Sequence, residues 1–197
     1  MGRLDRKNLD KYLLETYGKE GFEEVAKCTI PIRGLNQSEY GDVYDCTLVS
    51  IATIVRYYLN YTVETEEIYN YTEEIAKKFL YRGDHWGTFF IVIKSIFDRI
   101  LRHYGLPASK KQMIYKGCLG YNFKTIKTQI DAMVPIILSM ANDGRDYYKN
   151  HSVVIMGYRI MKKDDIEVPI LVVLDNWTKL VSYIDYNKLS FVSQINF

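Results

Sequence analysis

The chain has 197 residues and a mass of 23.1 kDa, with 48% apolar residues, 25% charged residues and a net charge of +2. Those values describe a globular chain of roughly one domain and exclude a disordered one. A charge of +2 is too small to draw in polyanions, so nucleic acid is not an expected partner, and three Cys make no disulfide framework.

The charged start, Met1 to Arg6, is followed by no apolar core and does not read as a signal peptide. The longest apolar stretch, Ile170 to Leu174, is too short to span a bilayer. A cytoplasmic location, with thiols kept reduced and no membrane partner, is the expectation. Neither a cofactor nor a metal site is suggested by the spacing of Cys and His. The oligomeric state is not legible.

Leu9, Tyr12, Leu13, Leu14 and Tyr17 recur at helical spacing. A short helix is predicted over Phe22 to Lys27, and Thr29 to Arg33 reads as an extended run ending at Gly34. From Cys46, the pattern Val49, Ala52, Ile54, Val55, Tyr58 and Leu59 predicts a strongly apolar helix. Glu64 to Phe79 reads as an amphipathic helix, acidic at its start and basic at its end, as the helix dipole favours. Thr88 is placed to cap a further helix that runs to Tyr104 and stops at Gly105 and Pro107. Asn122 to Met133 is the last clear helix.

The period then changes. Pro135 to Met140, Ser152 to Met161, Val168 to Leu174, Leu180 to Ile184 and Phe191 to Ile195 are apolar runs separated by polar turns. Helices followed by a mostly antiparallel sheet make an α+β chain. Residues 1–28 are expected to form a helical extension or subdomain, and residues 29–197 the main domain.

Of the three Cys, Cys28 and Cys118 carry no polar signature and read as background thiols. Cys46 opens the apolar helix after Gly41-Asp42-Val43-Tyr44-Asp45. At a helix N-terminus a thiol meets unsatisfied amides and the positive end of the dipole, and both favour the nucleophilic thiolate. Among the His residues, His103 is explained by a helix C-terminus. His85, next to Trp86 in a loop, could border a cleft. His151 stands at the mouth of a core strand, where a titratable group is well placed as a base. Asp175 ends the next strong strand. If the two strands pair antiparallel, Asp175 comes to the same end of the sheet as His151 and can orient its imidazole, with Trp177 covering the contact.

With these pieces in order, the chain resembles the papain-like cysteine peptidases. It is nearest the bacterial branch of bacteriocin-leader-processing, double-glycine peptidases and their stand-alone relatives. Leu35-Asn36-Gln37 lies nine residues before Cys46, as a Gln precedes the nucleophile in that family. Asp45-Cys46-Thr47-Leu48-Val49-Ser50 resembles the family's Cys-Gly-x-x-Ser opening of the central helix. Pro135 to Met140 and then His151 to Tyr158 resemble its strand pair ending in an Ile-Gly-Tyr turn. Asp175-Asn176-Trp177 resembles its Asp-Pro or Asn-x-Trp element. Thr47 stands where the bacteriocin-processing branch has Gly and papain has Trp, and Asn176 replaces the Pro of Asp-Pro.

The resemblance implies a papain-like fold and hydrolysis of a peptide or isopeptide bond in a peptide or protein substrate. Cys46 would be the nucleophile, His151 the base and then the acid, and Asp175 the orienting group, with Asn176 as the other candidate for that third place. The Gln37 side chain and the Cys46 amide would hold the oxyanion. Asn176, Trp177, His85 and Trp86 would border the substrate cleft. An acyltransferase or amidase on the same fold, and a non-catalytic interaction module rich in Tyr, are the alternatives.

Overall fold

A computed structural model of the chain describes residues 4, 8–41, 44–79, 81, 87–108, 111–113, 122–140, 150–189 and 192–196. Its elements are α1 (Leu9–Tyr17), β1 (Glu23–Thr29), α2 (Cys46–Tyr58), α3 (Thr65–Lys77), α4 (Phe90–His103), β2 (Lys111–Met113), α5 (Phe123–Asp131), β3 (Ile136–Met140), β4 (His151–Lys163), β5 (Ile166–Leu174), β6 (Val181–Asp185) and β7 (Val192–Asn196). The α+β layout is the expected one. One antiparallel sheet runs in the order β2-β7-β3-β4-β5-β6, and β1 is added to β4.

Two local expectations are corrected. The segment predicted as a helix over Phe22 to Lys27 is strand β1, which pairs with β4 from Glu23↔Lys162 to Thr29↔Gly157. Its side chains are exposed over 23–25 and alternate only from Ala26 to Thr29, and the ladder with β4 overrides the local helical spacing. Helix α4 begins one residue later than predicted, with Phe89 at its N-cap and no side-chain cap bond. The Thr88 hydroxyl is buried with no hydrogen-bond partner among the described residues.

Strand β4 is the spine. Its first part, His151 to Ile155, pairs with β3, and from Gly157 onwards the same edge is taken over by β1. Gly157 therefore lies within a continuous strand, not at a turn that ends it. A Cβ there would stand 2.5 Å from the Cys28 carbonyl oxygen and 3.1 Å from Thr29 Cα, so the crossing of β1 over this point needs glycine. The other edge of β4 carries β5 from Val154 to Lys163, with a bulge between Ile155 and Gly157.

Helix α2 is buried from Cys46 to Val55 on every face. It lies between the sheet, chiefly β4, and helices α3 and α4. That burial is why its sequence is apolar all round rather than amphipathic. Its N-terminus abuts the start of β4: Thr47 Oγ1 and Ser152 Oγ are 2.8 Å apart, and Ser152 Oγ is 2.6 Å from Ser139 Oγ on β3.

The segment before residue 29 is joined to the rest by more than β1. The Tyr12 and Tyr17 hydroxyls on α1 donate to Asp185 Oδ2 at 2.8 and 2.6 Å. Asp185 pairs with Ile170 at the start of the β5–β6 ladder, whereas Leu174 pairs with Val181 at its other end. Helix α1 is thus anchored at the end of the sheet away from Asp175. No helix among the described residues is long and apolar enough to cross a membrane.

Candidate active site

Three chain segments converge at one end of the sheet. The first is the N-terminus of α2. Asp45 is its N-cap and Cys46 its first residue. The first helical bond runs from the Val49 amide to the Asp45 carbonyl. The Cys46 N–H therefore has no acceptor within the helix, which leaves an amide pointing out of the positive end. Cys46 itself is buried, at 7% exposure.

The second segment is the start of β4. The Ser152 amide lies 3.4 Å from Cys46 Sγ, directed at the sulfur. His151, one residue earlier and 5% exposed, is hydrogen-bonded to the Cys46 side chain. Burial pushes the Cys46 thiol up, but the hydrogen bond and charge of His151, with the Ser152 amide and Thr47, hold it below its ordinary value. For His151, burial pushes the imidazole down. The bond and charge of Cys46, and then the carbonyl and charge of Asp175, carry it above its ordinary value. Each group thus favours the charged form of the other.

The third segment is the end of β5. The β4–β5 register ends at Val154↔Leu174, and extending it puts His151 opposite Trp177. The two rings stack, with centroids 4.4 Å apart and planes 29° from parallel. His151 Nε2 donates to the Asp175 main-chain carbonyl at 2.6 Å. Only a protonated nitrogen can make that contact, so Nδ1 is the ring atom left to meet the sulfur.

Cys46, His151 and the Asp175–Trp177 segment come together here, with the Asp175 side chain placed differently from the expectation. The Asp175 carboxylate is buried and closes its own turn. Oδ1 accepts from the Trp177 and Thr178 amides at 3.2 and 3.3 Å, and Oδ2 accepts from Ser182 Oγ at 2.5 Å. Its charge still acts on His151. The imidazole is oriented by the main-chain carbonyl of Asp175, a contact that no side-chain motif encodes.

Asn176 has turned away from His151. Its backbone is left-handed, with φ of 63°. Its side-chain Nδ2 donates to the Cys46 carbonyl at 3.0 Å, the Ser152 carbonyl at 2.9 Å and Ser50 Oγ at 2.8 Å. Asn176 therefore makes no hydrogen bond to the imidazole. It laces the helix N-terminus, the start of β4 and the end of β5 to one another. Asn tolerates the left-handed region better than other side chains do, which suits the residue that stands where the resembled motif has Pro.

Gln37 opens a short 3-10 turn, Gln37–Glu39, and is 5% exposed. The Asn36 side chain caps the turn by accepting from the Ser38 amide at 3.1 Å. The Gln37 N–H donates to the Asn176 carbonyl at 2.7 Å, which fixes the loop beside the Asp175–Trp177 segment. Trp177 is 40% exposed and so lies at the border of the site. His85, Trp86 and Cys118 lie outside the described residues, as does nearly all of the loop expected over Asn142 to Asn150. Cys28 is away from the site and lies 3.7 Å from the Ile130 carbonyl.

Asp45 belongs to the same region, although the motif gives it no role. It is 2% exposed, and its carboxylate accepts from the Tyr69 hydroxyl at 2.6 Å and from the Tyr81 hydroxyl. Gly41 permits this, because a Cβ there would stand 1.9 Å from Asp45 Oδ2 and 2.0 Å from the Tyr69 oxygen. A buried acid directly before the candidate nucleophile, with Tyr residues elsewhere to satisfy it, was the available signal. Among the described residues no group of His, Cys, Asp and Glu is arranged to hold a metal ion.

No curated protein matches the chain in a sequence comparison. A family model does, over most of its length, and the papain-like fold expected from the order Gln, Cys, His, Asp agrees with it. The match to the Peptidase_C39 like family covers residues 29–193, and the chain belongs to that family.

Proposed function

We propose that the chain is a cysteine peptidase that cleaves a peptide or isopeptide bond with Cys46 as nucleophile and His151 as its acid and base. The observation that carries this reading is the buried Cys46–His151 pair, whose second ring nitrogen is already committed to the Asp175 carbonyl. That bond fixes the tautomer and leaves Nδ1 for proton transfer at the sulfur.

In this mechanism the Cys46 thiolate attacks the substrate carbonyl carbon and the carbonyl electron pair moves to oxygen. The Cys46 N–H, free of any helical acceptor, and the Gln37 side-chain amide hold that oxyanion. Donors of this kind lower a barrier by about 3 kcal/mol each. As the tetrahedral centre collapses, the His151 Nδ1 proton passes to the leaving amine and a thioester remains on Cys46. Water then gives a proton to His151 and attacks the thioester, which releases the acid and restores the ion pair. Trp177 and the Gln37 loop border the substrate.

The test is hydrolysis of a peptide library by the purified chain. Cleavage that Cys46→Ala and His151→Ala both abolish supports the reading. Turnover that appears only with an added amine acceptor would assign acyl transfer instead. Full binding of a peptide by wild type and Cys46→Ala alike, with no product, would assign an interaction module.

A further inference from the structure

A cavity of about 460 Å³ opens behind the two segments that carry Gln37 and Asp175. Its walls include Leu35, two residues before Gln37, and Leu174, the residue before Asp175. Cys46, His151 and Trp177 do not line it. Its charged lining is basic, with Arg33, Arg56 and Lys179, and Tyr40 and Thr65 add hydroxyls.

Two of these cations are held against one aromatic ring. The Arg33 and Arg56 guanidinium carbons lie 4.9 and 5.0 Å from the centroid of one ring, that of Tyr61. Tyr61 is fixed for this by a left-handed backbone, φ 59°, following Asn60 at φ 50°. Its N–H donates to the Arg56 carbonyl at 3.0 Å, and its hydroxyl accepts from the Arg33 N–H at 3.1 Å. Lys179 is neutralised by Glu39 at 2.8 Å. Among the described residues neither Arg33 nor Arg56 forms an ion pair with a carboxylate, although Arg159 does so with Glu24 at 2.7 Å.

From this we infer that the cavity is a binding site for an oxyanion, carboxylate or phosphate, carried on a small apolar body. Two like charges beside one aromatic ring repel, and an oxyanion that engages both guanidinium groups offsets that repulsion. The ring preorganises them, so a ligand pays less side-chain entropy to engage both. The Leu35 and Leu174 walls accept the apolar part. The ligand is either a free small anion or an acidic side chain of a bound polypeptide, since both present the same group.

Two probes separate these sources: inorganic phosphate, and an acetylated, amidated Leu-Glu-Glu tripeptide. Each is titrated into the full chain at constant ionic strength, with backbone amide shifts followed by NMR. The expected result is a saturable shift confined to residues around Arg33, Tyr61, Arg56 and Lys179, weakened roughly tenfold or more in Arg33→Gln and in Arg56→Gln. Tighter binding of the tripeptide assigns the site to a polypeptide, and binding of phosphate at least as tight assigns it to a free anion. Arg33 is exposed, so Arg33→Gln tests the site even if Arg56→Gln fails to fold. Unchanged affinity in Arg33→Gln, shifts scattered over surface lysines, or no saturable shift with either probe would overturn the proposal. None of these readouts depends on peptidase activity.

Discussion

His151 Nε2 lies 2.6 Å from the Asp175 main-chain oxygen, while the Asp175 carboxylate is bound by the Trp177 and Thr178 amides and the Ser182 hydroxyl. Orientation of the imidazole and charge near it are thereby separated. Asp175→Asn keeps the carbonyl and an acceptor for the two amides but removes the charge. Where a carboxylate itself sets the tautomer, the same exchange costs about 10⁴ in rate. Here the expected loss in kcat/KM is about tenfold. The Asp175 charge raises His151, so its removal lowers the imidazole and moves the alkaline limb of the pH–rate profile to lower pH. A loss near 10⁴ with an unmoved limb would show that the carboxylate sets the tautomer.

Alkylation of Cys46 should follow the ion pair. The thiol is held below its ordinary value by His151, so thiolate is already present at pH values where a free thiol, with a pKa of about 8.5, is protonated. The rate of iodoacetamide labelling at Cys46, read by mass spectrometry, should level off below that range. In His151→Gln the favourable charge is gone while burial remains, so the midpoint should rise. An unchanged midpoint in His151→Gln would count against the pair.

The legible parts of this molecule are those set by periodicity and chain order. The apolar stretch after Cys46 was readable as a buried helix because its burial needs only local sequence, and β3 to β6 were readable from Val- and Ile-rich runs. His151 and Asp175 could be brought together because one antiparallel register joins their strands. Strand β1 is not legible because a short amphipathic run gives little period and its partner, β4, lies more than 120 residues away. The Asp175 carbonyl and the Asn176 latch were hidden for a different reason. Main-chain acceptors carry no residue type, and the direction of the Asn176 side chain follows from a single left-handed φ that sequence does not specify.

Asn176 should matter for stability more than a loop residue does. Its Nδ2 serves two buried carbonyls and the Ser50 hydroxyl. Asn176→Gly keeps the backbone conformation but leaves those carbonyls without this donor, at a cost of about 1–3 kcal/mol. Asn176→Asp should cost more, because it turns a carboxyl oxygen towards the Cys46 and Ser152 carbonyl oxygens. Urea unfolding gives both values, and an Asp variant as stable as the Gly variant would contradict the assigned contacts.

The Asp45 cluster predicts a coupled pair. Tyr69→Phe removes one hydroxyl from a buried carboxylate and should destabilise the chain by about 2 kcal/mol, within the range for hydrogen bonds to charged groups. Gly41→Ala places a methyl against both Asp45 and the Tyr69 hydroxyl, so it should cost at least as much. Because both act on the same bond, the double variant should fall short of the sum of the single effects. Additive losses in urea unfolding would show that Gly41 acts elsewhere.

Trp177 offers the cleanest separation of function from folding. The indole is 40% exposed, yet one face covers the His151 ring at a centroid distance of 4.4 Å. Stacked aromatic pairs contribute about 0.5–1.5 kcal/mol beyond area burial. Two fifths of that surface already meets water, so Trp177→Ala should lower Tm by only about 2–4 °C, the shift expected for about 1 kcal/mol in a chain of this size. Its effect on His151 is direct, because the ring loses the surface that sets its tilt towards Cys46. Labelling of Cys46 and any peptide hydrolysis should both slow by roughly tenfold, and Trp177→Phe should restore most of the loss. A large fall in Tm with unchanged labelling would place Trp177 in the framework instead of the site.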